Sequence, residues 1–348
     1  MSDMGNNFGF SFFNDHHFHL GYHLYAAATV GLFDNEWLRL HWDKLLLYVR
    51  DIANPSRHDP HFPAARHKDW YLGSSWASGV VTANPNGRNE ESSAEAIAAY
   101  EGVALLGEAG MMAFSTMKNR MSINSPGTND ESAAWAEGFA TASRIYDFGR
   151  LLLSTEVRSA QRYWHVRASP APRVYPDMYT PKVVGMLWQM LAQEQTWFGP
   201  EEWKSYGIQL LPFTPASAKR DDPNWVAEML PPFNASCAAT PVCKEQGWSI
   251  LVLLSMGTLG KWQEARKGIM ALPASAFEGA GGNGHSRTNS LWWIATRPPE
   301  SAPPPPHKTS SAAPPNARAG SSTLTVAGRA LLGAIAAATA LSASSEFL

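Results

Sequence analysis

The feature that most constrains the fold is a succession of apolar segments with helical period and almost no strand pattern. Helices are predicted over residues 14–32, 37–52, 91–106, 133–165 (with a break near Gly149), 182–197, 201 onward, 247–256, 261–270 and 290–296. Residues 109–132 are expected to be less regular, and residues 170–181 and 212–232 to be mostly loop. Many helices joined by long aromatic loops indicate an all-α fold of the α/α-toroid type, since simple bundles have shorter loops.

Composition narrows the class of protein. Of 348 residues, 45% are apolar and 17% are charged, which is typical of a chain with a large core. The net charge of −2 argues against a nucleic-acid partner, which would require a basic face. The 14 tryptophans suit either core packing or stacking on sugar rings. Cys237 and Cys243 could pair in an oxidising compartment, but two cysteines do not decide the redox context.

The chain divides into three parts by composition. Residues 1–297 are predicted to form one domain, residues 298–322 a linker rich in Pro, Ser and Ala, and residues 323–348 a weakly hydrophobic tail. The tail fits either a glycolipid-anchor signal, which would attach the protein to a membrane, or a disordered end. The first ten residues lack the basic and apolar regions of a signal peptide, so a non-secreted protein and a fragment of a longer one both remain open.

One polar cluster opens the first predicted helix. The segment FNDHHFHLGYH combines a single carboxylate, Asp15, with four histidines and flanking aromatic residues, ahead of the apolar run that begins at Leu24. A polar cluster at the mouth of an apolar helix is typical of a pocket wall. A carboxyl group enclosed by the rings of Phe13 and Phe18 would have its pKa raised, so that it could act as an acid near neutral pH.

A second acidic cluster, NEESSAE, precedes another apolar helix. Glu91 and Glu95 are four residues apart, so we expect both on one face of the helix, where like charges repel unless the helix dipole offsets the cost. A solvated first turn is the ordinary explanation for such a pair. Here the following residues look buried, which would place both carboxylates at a pocket mouth. One acid and one base on separate segments meet the requirement for glycoside hydrolysis.

A metal site is the competing interpretation of the same residues. His19 and His23 share a predicted helical face, and Asp15 and Glu91 could complete a site. The chain has no HExxH motif or comparable set, so we expect no metal, and the clustered histidines are better explained as hydrogen-bonded pocket wall. No motif for a nucleophilic serine or cysteine is present.

Six blocks of the sequence, between about residues 14 and 298, resemble successive blocks of family 81 glycoside hydrolases, the endo-1,3-β-glucanases, in the family's order. The blocks are FNDHHFHLGYHLYAAA, DWYLGSSWASG, NEESSAEAIAAYEGVALLG, RLLLSTEVRSAQRYWHV, YGIQLLPFTPAS and NGHSRTNSLWWIATRP. Six ordered blocks are a far more specific signal than one short motif.

The resemblance implies an inverting, cofactor-free hydrolase that cuts internal linkages of β-1,3-glucan with an (α/α)6 barrel. By position, Asp15 matches the family's general acid, Glu91 its general base and Glu95 the glutamate beside the base. The residues that match the glucan-lining wall are His19, Asp69 and Trp76, although core packing is an equal alternative for Trp76. We expect the partner to be β-1,3-glucan, the protein to be monomeric, and the location to be extracellular or at the cell wall.

Three departures from the family pattern bear on these expectations. Ser74 stands where the family usually has His, which could weaken substrate positioning. The family's N-terminal β-sandwich, its linking domain and the first barrel helices are expected to be absent from a chain that begins just ahead of the acid. Residues 109–145 look longer than the corresponding family segment. The alternative function is therefore a barrel that binds β-1,3-glucan without efficient cleavage.

Overall fold

Helices make up most of the structure, a computed structural model that describes residues 9–80, 84–124, 129–168, 173–245, 247–277 and 284–298. The predicted linker and tail, and with them the prediction of a membrane anchor, lie outside the described residues, apart from the first position of the linker. The prediction of an all-α fold is confirmed for the described part of the chain, in which the strands are few and short.

The first helical group follows directly from the apolar periodicity. Its elements are α1 (His16–Phe33), α2 (Asn35–Ala53), the short strand β1 (Asn89–Glu90), α3 (Ser93–Asn124) and α4 (Asn129–Ser159). Helix α3 lies at the centre and packs on α1, α2 and α4. By length and composition alone, residues 93–115 could cross a membrane, but most of this stretch is buried in the protein. Its apolar character is explained by its central position among the other helices.

Local signals set the ends of these helices. Asp34 caps α2 by accepting the backbone N–H of Trp37 at 2.8 Å, and Asn54, followed by Pro55, ends it with an extended conformation. Two expectations were wrong: residues 109–132 are helical as far as Asn124, and α4 has no break at Gly149. A Cβ at Gly149 would lie 2.6 Å from the backbone N of Ala104, so this glycine permits close helix packing instead of ending the helix.

The segment after α4 departs most from the prediction. A π-helical turn (Ala160–Trp164) extends α4, and β2 (Met186–Trp188) and β3 (Ala192–Gln193) follow it. The helix predicted over residues 182–197 is wrong, because the segment holds the buried strand β2 and the partly buried strand β3 of an antiparallel sheet of order β1-β2-β3. A short buried apolar run does not distinguish helix from strand by its period.

The remaining helices form a second group with its own core. They are α5 (Glu202–Ile208), α6 (Ser217–Arg220), α7 (Pro223–Ala238), α8 (Pro241–Glu245), α9 (Ser249–Thr258), α10 (Trp262–Ala271) and α11 (Arg287–Ala295). Large side chains fill this core, among them Trp203, Trp225, Phe233, Leu251 and Trp293. Cys237 and Cys243 form a disulfide between α7 and α8.

The loop predicted over residues 212–232 was also wrong, because α6 and most of α7 lie there. Asp222 caps α7 by accepting the N–H of Asn224 at 2.8 Å, and Pro223 occupies the first turn, where its missing N–H costs nothing. Pro231 and Pro232 lie inside the helix and suggested a loop. Tertiary packing of the buried face of α7 outweighs the helix-breaking preference of proline.

We expect Gly21→Val to destabilise the protein, because a Cβ at Gly21 would lie 2.3 Å from the Cβ of Ala99 where α1 crosses α3. Overpacking of this kind costs about 1–3 kcal/mol or more in free energy of unfolding. Urea denaturation followed by circular dichroism measures the loss. The control is Ala136→Val on the exposed face of α4, which should change the stability by no more than about 0.5 kcal/mol. Equal stability of the two variants would show that the crossing is not tightly packed.

Candidate active site

Asp15 lies at the start of α1 in a left-handed conformation, with φ of 57°. Its backbone N–H donates to the carbonyl of Ala77 at 2.9 Å, and its carbonyl accepts the N–H groups of Phe18 and His19. The left-handed conformation of a non-glycine residue costs energy that these hydrogen bonds offset. The backbone of Asp15 is therefore fixed to a loop that is distant in sequence.

The same loop reaches the segment that carries the glutamates. The N–H of Ala77 donates to the carbonyl of Asn89 at 2.8 Å, and the N–H of Gly79 donates to Oδ1 of Asn14 at 2.6 Å. Asn89 belongs to β1, which ends one residue before Glu91. These backbone contacts join the segment of Asp15 to the segment of Glu91.

Glu91 does not lie on the helix, so the prediction that it shares a helical face with Glu95 was wrong. It lies between β1 and the first residue of α3, and only Glu95 is in the first turn of α3. The N–H of Glu95 donates to Oγ of Ser92, which satisfies one of the free donors at the helix start. Gln209 accepts the N–H and the hydroxyl of Ser93 and donates to the carbonyl of Glu91, so the second helical group fixes this turn.

The carboxyl groups of Asp15, Glu91 and Glu95 nevertheless form one electrostatic cluster. The pKa of Asp15 is raised to about 7, first by burial and then by repulsion from Glu95, while His16 opposes the rise. Burial also raises the pKa of Glu91 to about 8; the N–H of Trp197 opposes this shift, and Glu95 and Asp15 add to it. Like charges that share a buried site cannot all ionise together. The structure thus brings together the three predicted catalytic carboxyl groups.

Hydrogen-bond donors distinguish the three carboxyl groups. Oε1 of Glu91 accepts the backbone N–H of Trp197 at 2.6 Å, and Oε1 of Glu95 accepts the hydroxyl of Tyr22 at 2.6 Å. Burial raises the pKa of Glu95, and the Tyr22 hydroxyl opposes this rise. Among the described residues, no donor bonds the carboxyl group of Asp15. Donors to the charged form favour ionisation, so Asp15 is the member without such support.

The histidines of the first cluster have different environments. His16 is held by Oδ2 of Asp51 at 2.5 Å and by the carbonyl of Phe10 at 2.8 Å. His17 is fully buried and stacks on His67 with ring centroids 4.4 Å apart. His19 is only partly buried, and burial lowers its pKa. Of the four imidazoles in the predicted pocket wall, two are buried (His16 and His17), that of His19 is partly buried and that of His23 is exposed.

The described residues contain no group of three or more His, Cys, Asp or Glu side chains arranged to hold a metal ion.

The predicted wall residues Asp69 and Trp76 contact each other. Oδ1 of Asp69 accepts the N–H groups of Tyr71 and Leu72, and its Oδ2 accepts Nε1 of Trp76 at 3.1 Å. Trp76 is only 4% exposed, so its ring packs among other side chains. The exposed aromatic residues of this loop are instead Trp70 and Tyr71. Asp69 organises the loop through three accepted hydrogen bonds.

A buried ion pair lies behind the same loop. Nζ of Lys68 donates to Oε2 of Glu156 at 2.6 Å, and both side chains are fully buried. Glu156 also accepts the N–H and the hydroxyl of Ser75, and that hydroxyl lies 2.8 Å from the hydroxyl of Tyr100. The hydroxyl of Ser74, where the resemblance leads us to expect histidine, is buried without a partner among the described residues. The network holds the loop on α3 and α4.

Three contacts of the site were missed at the sequence level: Tyr22 on Glu95, Gln209 on Glu91, and Trp197 on Glu91. Tyr22 lies seven residues after Asp15, which is about two helical turns, so the two positions share one face of the helix. This spacing was a usable signal that Tyr22 lies on the same side of α1 as the acid. Gln209 and Trp197 are more than 100 residues from Glu91 in sequence, and no local pattern connects them. Trp197 was also hidden at the end of a wrongly predicted helix.

The family model of the glycosyl hydrolase family 81 C-terminal domain matches residues 1–125 and 132–294. The interruption covers only residues 126–131, so the match includes most of the segment 109–145 that looked longer than in the family.

Curated relatives and a solved structure agree with the family match. A soybean (Glycine max) glucan endo-1,3-β-D-glucosidase is 30% identical over 85% of this chain and 39% of its own length. A primary septum glucan endo-1,3-β-D-glucosidase of Schizosaccharomyces pombe is 31% identical over 72% of this chain and 21% of its own. A family 81 glycoside hydrolase structure from Clostridium thermocellum has a TM-score of 0.62 and 29% identity over 81% of this chain and 34% of that chain. This chain therefore spans less than two fifths of the length of these relatives. The similarity to the family 81 structure confirms the prediction of an α/α barrel.

The raised pKa of Glu91 has a consequence for stability. A carboxyl group with a raised folded-state pKa stabilises the fold below its unfolded pKa, and this contribution is lost as the pH rises through about 8. We therefore expect the stability of Glu91→Gln relative to the parent to increase between pH 5 and pH 9. The increase should be about 4 kcal/mol in free energy of unfolding, since the pH rises by about three units from 5 to the pKa of about 8. Urea denaturation at both pH values measures this difference.

The control for this experiment is Glu137→Gln on the exposed face of α4, whose stability difference from the parent should not depend on pH in this range. A Glu91→Gln difference that is equal at pH 5 and pH 9 would contradict a buried, proton-retaining Glu91.

Proposed function

The chain belongs to glycosyl hydrolase family 81, and from this premise we propose that it hydrolyses internal 1,3-β-D-glucosidic linkages of β-1,3-glucan with inversion of configuration. The observation that carries the proposal is the partly buried cluster of Asp15, Glu91 and Glu95, in which Glu95 raises the pKa of Asp15 and both of these groups raise the pKa of Glu91. Backbone hydrogen bonds through Ala77 join the segment of Asp15 to the strand that precedes Glu91. The names of the soybean and yeast relatives support the same linkage.

In the proposed reaction Asp15 is the general acid. Its carboxyl group donates a proton to the glycosidic oxygen as the bond from that oxygen to the anomeric carbon breaks. The raised pKa of Asp15, about 7, means that a proton is available on this group near neutral pH. The leaving sugar departs as an alcohol, and Asp15 is left as a carboxylate that regains its proton from solvent.

Glu91 is the proposed general base. Its carboxylate takes a proton from a water that attacks the anomeric carbon from the face opposite the leaving group, so the configuration inverts. Room for this water requires the carboxyl groups of Asp15 and Glu91 to lie roughly 6.5–9.5 Å apart. Burial raises the pKa of Glu91 to about 8, so its anion has to be stabilised in the working site. The N–H of Trp197 is the hydrogen-bond donor on this carboxyl group.

The other predicted site residues take supporting roles in the proposal. Glu95 contributes negative charge beside Asp15, which helps that group to keep its proton. His19 is partly exposed near the acid and is proposed to contact the glucan. Trp76 is buried and donates its Nε1 to Asp69. The two residues are therefore proposed to shape the loop that contacts the glucan.

The site of action is a finer proposal. The septum glucanase among the relatives suggests an extracellular or cell-wall location for this protein as well. We expect a monomer, because the proposed acid and base belong to one chain. Attachment to a membrane through residues 323–348 stays a prediction.

We expect Asp15→Asn to reduce laminarin hydrolysis by about a thousandfold, because the amide cannot donate the proton that the leaving oxygen needs. Glu91→Ala should lose turnover that added azide partly restores, since azide can occupy the position of the attacking water. Release of reducing sugar from laminarin measures the loss in both variants. Chromatography of the glycosyl azide product measures the rescue, because azide attack leaves no new reducing end.

The matched control is Asp34→Asn at the start of α2, where asparagine caps a helix as well as aspartate. This variant should keep full activity. Unchanged activity of Asp15→Asn would overturn the assignment of the acid. A folded parent that binds curdlan and releases no sugar would instead favour the glucan-binding barrel.

A further inference from the structure

Trp197 is attached at two points to the segment that carries the proposed base. Its backbone N–H donates to Oε1 of Glu91 at 2.6 Å, and its indole Nε1 donates to Oδ1 of Asn89 at 3.2 Å. Asn89 is two residues before Glu91 and pairs with Trp188 across the sheet. The main chain and the side chain of Trp197 therefore both contact the same short segment.

The turn that carries Trp197 is itself well supported. Thr196 donates its N–H and its hydroxyl to the carbonyl of Gly199, at 3.2 and 2.9 Å. Nζ of Lys204 donates to the carbonyl of Phe198 at 2.9 Å. The turn is thus held on both sides of Trp197, while the side chain of Trp197 is free to contact a ligand.

The indole of Trp197 is oriented but not covered. Its ring packs edge-to-face with Trp188, with centroids 5.4 Å apart and an interplanar angle of 64°. The residue remains 61% exposed, although its Nε1 is already bonded to protein. A fixed indole with one open face and no free donor is suited to the flat apolar face of a pyranose ring. The position is continuous with the catalytic cluster through Glu91.

We propose that Trp197 forms a glucosyl-binding subsite beside the base, and that a sugar stacked on its indole holds the backbone N–H that positions Glu91. The inference rests on the proposed function, since it requires a β-1,3-glucan chain to pass the carboxyl cluster. Trp197 is a substrate-binding residue through its ring and a positioning residue through its backbone. Binding of the glucan and preparation of the base are then linked at one residue.

The electrostatics of the carboxyl cluster explain why glucan binding at Trp197 would affect the ionisation of Glu91. Glu91 faces the acidic groups of Asp15 and Glu95, and it also interacts with the buried carboxyl group of Glu90. Asp15 and Glu95 raise the pKa of Glu91 and so disfavour the anion that a general base requires. The hydrogen bond from the N–H of Trp197 lowers the pKa of Glu91 and so favours this anion. A sugar that holds this N–H in place would favour the ionised Glu91 while the substrate is bound.

The test compares Trp197→Ala, which removes the ring, with Trp197→Phe, which keeps a ring and loses the bond to Asn89. We expect Trp197→Ala to raise the KM for laminarin by about tenfold. It should also move the acidic limb of the kcat pH profile, which reports groups in the substrate complex, to higher pH. Trp197→Phe still offers a ring on which a sugar can stack, so it should recover most of the KM and most of the pH shift. The control Phe33→Ala removes an exposed aromatic ring at the far end of α1 and should change neither quantity.

Binding measured without turnover separates this inference from the proposed function. In the Asp15→Asn background, calorimetric titration with laminarihexaose should show a loss of affinity of about tenfold when Trp197→Ala is added. Equal affinity with and without the indole would overturn the subsite. An unmoved pH profile in an active Trp197→Ala enzyme would overturn the positioning of Glu91. If the parent does not cleave laminarin and Trp197→Ala still lowers the affinity for laminarihexaose, the subsite would be supported and the proposed hydrolase activity rejected.

Discussion

The site depends on a short chain of backbone hydrogen bonds that runs from Asp15 through Ala77 to Asn89. Asp15 is at the start of α1, and Glu91 is two residues after Asn89, so this chain joins two segments more than 70 residues apart in sequence. Backbone contacts of this kind are insensitive to most side-chain changes, and in the low dielectric of the interior they are costly to break. They fix the segments that carry the acid and the base before any substrate is present.

The second helical group completes the site that the first group begins. Gln209 binds Ser93 and Glu91, and Trp197 binds Glu91 and Asn89, so residues from beyond α4 shape the turn that carries the base. The hydrogen bond from the N–H of Ala216 to Glu101 adds a further contact between the groups. Helices α1 to α4 alone would present the carboxyl groups but would lack the donors that tune Glu91.

Burial of several acids in one place is costly, and the structure shows how part of the cost is met. Tyr22 donates to Glu95, and Trp197 donates to Glu91. The fully buried carboxyl group of Glu90 has no hydrogen-bond partner among the described residues, and burial raises its pKa. What is not compensated appears as raised pKa values, which are typical of groups that exchange protons in a reaction. Active sites commonly lower the stability of the fold in this way.

Much of this was predictable from sequence, and the failures have physical reasons. The carboxyl groups were found because Asp15 and Glu91 each precede an apolar helix, a pattern that one segment carries by itself. A helix was wrongly predicted over residues 182–197, because strand β2 in this segment forms by pairing with β1, which is distant in sequence. Helix α7 was missed because packing of its buried face outweighs Pro231 and Pro232. Trp197 could not be found, since its contact with Glu91 exists only in the folded chain.

The central claim is that Asp15 and Glu91 act as an acid and a base with a water between them, and the anomeric form of the first product tests it most directly. Proton NMR of laminarihexaose during the first minutes of hydrolysis distinguishes the two anomers before they interconvert. The account predicts that cleavage of the β-linkage releases the α-anomer first. Initial release of the β-anomer would mean that a carboxylate attacks the sugar directly, and would contradict the proposed role of Glu91.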